Sequence, residues 1–172
     1  MDLLFPHLVE RESTRRRRGL TRQSLRADVR DTLLFEGGLT LDHDLFVQPT
    51  VRIGKQRGSF DLMRSDSQAN ALTNVWGFNV ASLDVLDREI QSWNYLVSRL
   101  RSDGADLQLS NSRTASLSAD TPIDVVYDPP TSDREPQWRS EIFDAAQEAW
   151  QLNNITPRSL DQFHRGVAAL AN

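Results

Sequence analysis

The sequence predicts an α+β fold in which a small antiparallel meander sheet is covered by one long amphipathic helix, with further helices toward the C-terminus. Three patterns predict it. Leu83, Leu86, Ile90, Trp93, Val97 and Leu100 recur at alternating steps of three and four residues, which puts them on one stripe of a helix. Short β-type runs between residues 45 and 80 are separated by polar turns, the arrangement of hairpin-joined antiparallel neighbours. After Pro136 the helical spacing returns twice.

The 172 residues are the size of one ordinary domain, large enough to bury roughly two thirds of the unfolded surface. We divide the chain into an N-terminal segment with an Arg-rich link, 1–19, and a single α+β domain, 20–172. Cysteine is absent, which excludes disulfides, thiolate metal sites and a cysteine nucleophile together. No apolar run reaches the roughly 18 residues of a membrane span, and Met1–Glu10 lacks the pattern of a secretory signal. A cytoplasmic, bacterial-type protein without a membrane partner is the expectation. The net charge of −4, with Lys55 as the single lysine among basic residues that are otherwise arginine, argues against general nucleic-acid binding.

Element by element, Leu3 to Val9 form a short apolar segment, and Arg15, Arg16, Arg17 and Arg18 follow as a solvated link. Leu25, Val29 and Leu33 recur every fourth residue, Thr21 can cap, and Gly37-Gly38 supplies a left-handed stop, so a helix is expected over about 21–36. Leu45–Val47 and Val51–Ile53 are β-type runs interrupted at Pro49, which suits an edge or a bulge. Ser59–Arg64 and Ala71–Val80 continue the meander, with polar turns at Gly54–Gly58 and Ser65–Asn70. The long helix is expected over Leu83–Asp103, capped by Ser82 or Asp84 and closed by Gly104. Leu107–Leu109 reads as a short strand, Ser110–Thr121 as a mobile loop and Ile123–Tyr127 as a strand stopped by Asp128-Pro129-Pro130. Pro136 opens a helix to about Leu152 with Trp138, Ile142, Ala145, Ala149 and Leu152 inward. Ile155-Thr156 can add a short extended piece before Pro157, and Ser159–Leu170 forms a terminal helix.

Few residues invite a chemical reading. Arg15–Arg18 is the one dense basic cluster and could contact nucleic-acid phosphate, although a charge run ordinarily marks an exposed link. Asp42-His43-Asp44 brings metal-ligand types together, but neighbours in a turn do not aim at one centre, and a polar turn is the simpler account. Trp76, Trp93, Trp138 and Trp150 are read as core rather than as an aromatic ligand box, since Trp93 and Trp138 already lie on core stripes. No cofactor motif and no metal site are expected.

Asp61 on a strand, followed by a hairpin and a long helix, resembles the order of the PD-(D/E)xK nuclease core. That resemblance implies an aspartate on one strand and Glu-x-Lys on the next, holding metal and activating water. Here the next strand reads Asn74-Val75-Trp76-Gly77-Phe78, and no Glu-x-Lys exists. Asp61 is therefore catalytic only if the chain is a diverged nuclease, and is otherwise a structural or hydrogen-bonding residue.

The order of Arg-rich link, helix, meander with Phe60-Asp61, long helix, strand ending near Asp128-Pro129, helix and final helix resembles the C-terminal half of an uncharacterised bacterial domain-of-unknown-function family, over about residues 1–165. Members carry an N-terminal half, then a Phe-Asp strand, an Asn-Gly turn and an apolar-aromatic strand; here the turn at Asp66–Asn70 lacks glycine. The resemblance implies that Leu3–Val9 is the remnant of a preceding module and that the chain is a shortened relative or one piece of a split protein. It also implies an association with toxin–antitoxin or phage-defence loci, and it transfers no catalytic residue. The expected function is thus a non-enzymatic interaction or accessory protein with a protein partner, and the alternative is a diverged nuclease-like or nucleic-acid-processing domain using Asp61.

Overall fold

The computed structural model describes residues 21–66, 69–110 and 112–170. Its fold class is α+β. Leu3–Val9, His7 and Arg15–Arg18 lie outside the described residues.

Helix α1 (Arg22–Phe35) starts where the Thr21 hydroxyl accepts the Ser24 N–H at 3.1 Å and ends at Gly37-Gly38, with Gly38 at φ +68°. Five strands follow: β1 (Leu45–Val47), β2 (Thr50–Ile53), β3 (Gln56–Ser59), β4 (Leu62–Ser65) and β5 (Asn70–Gly77). Helix α2 occupies Leu83–Asp103, as its stripe predicts, and Gly104 closes it at φ +67°. Strands β6 (Ala105–Gln108), β7 (Thr114–Leu117) and β8 (Ile123–Asp128) precede α3 (Pro136–Leu152), β9 (Thr156–Ser159) and α4 (Leu160–Leu170).

The strands form two sheets. The first has the order β1-β4-β5-β8-β9, antiparallel as far as β5 and parallel from β5 to β9. The second, β3-β2-β6-β7, is antiparallel throughout. Pro49 marks the point where the chain changes sheet. Gln48, at φ +50°, donates its N–H to the Asp61 carbonyl at 2.9 Å, and Phe60 returns an N–H to the Pro49 carbonyl at 3.2 Å. The meander is therefore real in its outer strands, while the β2-β3 hairpin is diverted into a second sheet.

Strand alternation explains the layers. Leu45, Leu62, Val75 and Val126 face α1 and α4, where Leu25, Val29, Leu33, Phe163 and Val167 complete one cluster. Their neighbours Phe46, Met63, Trp76 and Val125 face the other way, into a larger cluster with α2, α3 and the inward residues of the second sheet. Helix α2 sits in this larger core, with Trp93 edge-on to Phe60 at 5.7 Å and to Trp76 at 5.9 Å between ring centroids.

Four further expectations change. The turn expected over Gly54–Gly58 is confined to Gly54-Lys55, because Gln56–Ser59 forms β3 against β2. The segment 110–121 is not wholly loop, because β7 pairs with β6 and turns Leu117 inward. Pro157 does not end the extended piece, since it sits within β9 at the edge of the first sheet, where a missing N–H is tolerated. The inner face of α3 is rotated to Arg139, Ile142, Ala146 and Trp150, leaving Leu152 exposed. The reason is Arg139, a buried guanidinium that donates to the carbonyls of Phe78 at 2.8 Å, Val80 at 2.9 Å and Arg134 at 3.1 Å. Counting apolar residues places such a position outside. Arg101 acts similarly, donating to Ala119, Thr121, Asn153 and Asn154 carbonyls and so tying α2 to two loops. Among the described residues no helix is long and apolar enough to cross a membrane.

Candidate functional site

Asp61 stands where β4 leaves β5. The ladder between these strands runs from Ser65 opposite Asn70 to Leu62 opposite Thr73 and stops, because the chain bends toward the second sheet. Val75 would lose its partner on that side. Side chains replace it: the Asp61 carboxylate accepts the Val75 N–H through Oδ2 at 2.7 Å, and Arg22 Nε donates to the Val75 carbonyl at 3.0 Å. The Asp61 N–H is in turn donated to Asn74 Oδ1 at 3.0 Å.

The carboxylate is 4% exposed and doubly paired, with Arg26 Nε 2.6 Å from Oδ1 and Arg22 Nη2 3.4 Å from Oδ2. Both arginines project from one face of the first turns of α1 because they are four residues apart. Arg22 also pairs with Glu89 of α2 at 3.2 Å and lies 3.9 Å over the Trp76 ring. Burial holds the Arg22 guanidinium below its ordinary range, an effect opposed by Asp61, reinforced by Arg26 and opposed by Glu89. Beneath the pair, the Asn74 amide nitrogen and the indole N–H groups of Trp76 and Trp93 have no hydrogen-bond partner among the described residues.

Chemically this is a neutralised carboxylate. Both Asp61 oxygens are engaged, and Glu89 reaches the site only through Arg22. The strand beside it offers an amide, Asn74, and an indole, Trp76, in the stretch where Glu-x-Lys would bring a carboxylate and an amine. Among the described residues no group of three His, Asp or Glu side chains converges for a metal.

Asp42-His43-Asp44 forms a turn whose acids diverge. Asp42, at φ +59°, accepts from Ser110 at 2.7 Å, while Asp44 holds His43 at 2.8 Å and accepts the Thr40 N–H at 3.2 Å. The His43 hydrogen bond, aided by Thr40, keeps Asp44 below the usual carboxylate range. His164 lies 3.0 Å from Asp28, linking α4 to α1. Trp76, Trp93 and Trp150 are buried in the larger core, and Trp138 packs against it half-buried.

One polar cluster escapes sequence reasoning. At the C-terminal ends of the parallel strands β5 and β8, Asn79 donates to Asp128 Oδ2 at 2.9 Å and to the Pro129 carbonyl at 2.8 Å, while its Oδ1 accepts the N–H groups of Thr131 and Ser132. The punctuation at Asp128-Pro129-Pro130 marks the strand end but says nothing of a partner fifty residues earlier. Burial raises Asp128 above the usual carboxylate range, opposed by the Asn79 hydrogen bond and helped by nearby Asp161. The folded state therefore takes up this proton at higher pH than the unfolded chain does, so Asp128 weakens the fold at neutral pH and ceases to do so on acidification. Asp128→Asn is expected to raise the thermal midpoint at pH 7, with the gain disappearing below the ordinary carboxylate range. Melting curves of both proteins across that pH span would check it, and a gain that grows on acidification would be the wrong sign.

No family model matches the chain, and no curated protein matches it.

Proposed function

We propose that this chain is a non-enzymatic interaction or accessory protein. The observation that carries the reading is the neutralisation of Asp61: both carboxylate oxygens face arginine, and one also holds a strand N–H. A metal-dependent hydrolase needs free carboxylate lone pairs and a group that activates water. Here the lone pairs are spent on the fold. A surface feature supports the interaction side of the reading. A groove of about 330 Å³ runs between the C-terminal turns of α1 and α4, lined by Leu33, Leu39, Val167 and Leu170, with Arg64 at its side. Leu170 and Phe35, at the ends of those helices, are exposed.

The alternative, a diverged nuclease-like domain, is favoured by the succession of Asp61, β4, β5 and α2, the order that resembles the PD-(D/E)xK core. One experiment separates the two. Titration calorimetry with Mn²⁺ and Mg²⁺ is expected to give no saturable heat, and incubation with single- and double-stranded nucleic acid is expected to give no cleavage. Saturable metal binding that Asp61→Ala abolishes would reverse the order of the two readings. A strictly monomeric protein that recovers no partner from its host lysate would count against the first.

A further inference from the structure

The outer face of the second sheet carries a polar concavity of about 590 Å³. Its inner face is apolar, with Val51, Ile53, Leu107 and Leu117 buried, so the alternate positions point to solvent. Strand register fixes what stands beside what. One row reads Arg57, Arg52, Asp106 and Ser116 across the four strands. The next row, led by Ser59 and Thr50, continues through Gln108 to Thr114. Lys55, the only lysine in the chain, sits in the turn between β2 and β3.

Two features of this face are not explained by folding. Arg52 and Arg57 are directly opposite one another, and like charges in that position destabilise a sheet. Among the described residues neither is ion-paired: Arg52 Nε donates to the Gly54 carbonyl at 3.2 Å, and Asp106, opposite Arg52 on the other side, forms no ion pair with it. One hairpin thus carries three cations, Arg52, Arg57 and Lys55, with one carboxylate beside it in the row, in a chain that is acidic as a whole. An anion lying along the row would relieve the repulsion.

We propose that this sheet face binds the sugar-phosphate backbone of a single-stranded nucleic acid. Arg, Lys, Ser, Thr and Gln are the side chains that contact phosphate and sugar. The face carries no aromatic residue among the rows named above, so bases are not stacked and binding is independent of sequence. Four strands of four residues span about 14 Å by about 13 Å, the footprint of a few nucleotides of one strand, and among the described residues no helix or ribbon projects from the face to enter a duplex groove. This goes beyond the interaction reading above and does not use Arg15–Arg18.

The test is fluorescence anisotropy of the full chain with fluorescein-labelled oligo-dT and oligo-U. With three phosphates neutralised, affinity is expected to fall roughly 20-fold between 50 and 200 mM salt, from a slope of about −0.7 per phosphate. Arg52→Ala/Arg57→Ala, whose side chains are solvent-exposed, should retain the circular dichroism of the parent, lose at least tenfold in affinity and flatten that slope by about 1.4. Asp106→Asn should bind more tightly than the parent. The proposal is overturned by absence of binding, by the double variant binding as well as the parent, or by a duplex of the same length binding more tightly than the single strand. Equal competition by polyglutamate would overturn it too, because the face would then be a docking site for an acidic protein. So would loss of binding on replacing Arg15–Arg18 alone with no effect from the sheet.

Discussion

Asp61→Ala is expected to destabilise the protein by about 3 kcal/mol, at the lower end of the cost of breaking a buried ion pair. The lower end applies because the arginines are only partly enclosed, with Arg22 21% and Arg26 33% exposed, and can turn toward water once the carboxylate is gone. The Val75 N–H cannot, so it becomes an unpaired donor inside the sheet. For a chain of this length about 3 kcal/mol corresponds to a fall of about 6–12 °C in the thermal midpoint. Asp61→Asn should cost less, because an amide oxygen can still accept from Val75. Urea melts of the parent and both variants give the ranking. A change below about 1 kcal/mol in Asp61→Ala would mean that the carboxylate is not what joins α1 to the opened strand pair, and would return Asp61 to the list of residues kept for chemistry.

How far this could be read in advance depends on distance along the chain. The α2 stripe is local information: its six residues predict the helix, its length and its buried face, and Gly104 marks its end. Asp61 is legible too, as a lone carboxylate read on a strand, although it stands in the bend just before β4 begins at Leu62. Its partners are not legible, since Arg22 lies 39 residues away and the pairing exists only because β4 leaves β5 at that point. The second sheet was hidden for a related reason. Pro49 announces an interruption, and either an edge or a bulge satisfies it locally; only the pairing of β2 with β6, across the whole of α2, turns it into a change of sheet. Arg101 and Arg139 mark a third limit. Both are charged residues that bind loop carbonyls, and a hydrophobic pattern necessarily assigns them to the surface. The cationic face of the hairpin needed the register as well, because Arg52 and Arg57 become neighbours only once the turn at Gly54-Lys55 is fixed, with Gly54 at φ +59°.

Ile90→Asp is expected to unfold the domain. Ile90 is 3% exposed in the larger core, midway along α2. Removing its side chain costs about 2–5 kcal/mol in lost burial and cavity. The carboxylate adds a further penalty of a few kcal/mol, either as an unpaired buried charge or through the proton uptake that avoids it. Together these match the 5–15 kcal/mol that holds an ordinary domain folded. An aspartate introduced two residues further along, Ser92→Asp, lies on the exposed side of α2 and should move stability by less than about 0.5 kcal/mol. The contrast tests the packing account directly. Both variants add one aspartate to the same helix, so a difference between them reports the face rather than helix propensity or net charge. Loss of the cooperative melt in Ile90→Asp with a normal melt in Ser92→Asp is the expected result. Comparable melts would mean that α2 is not the helix on which the larger core is built, and the role assigned to its stripe would fail.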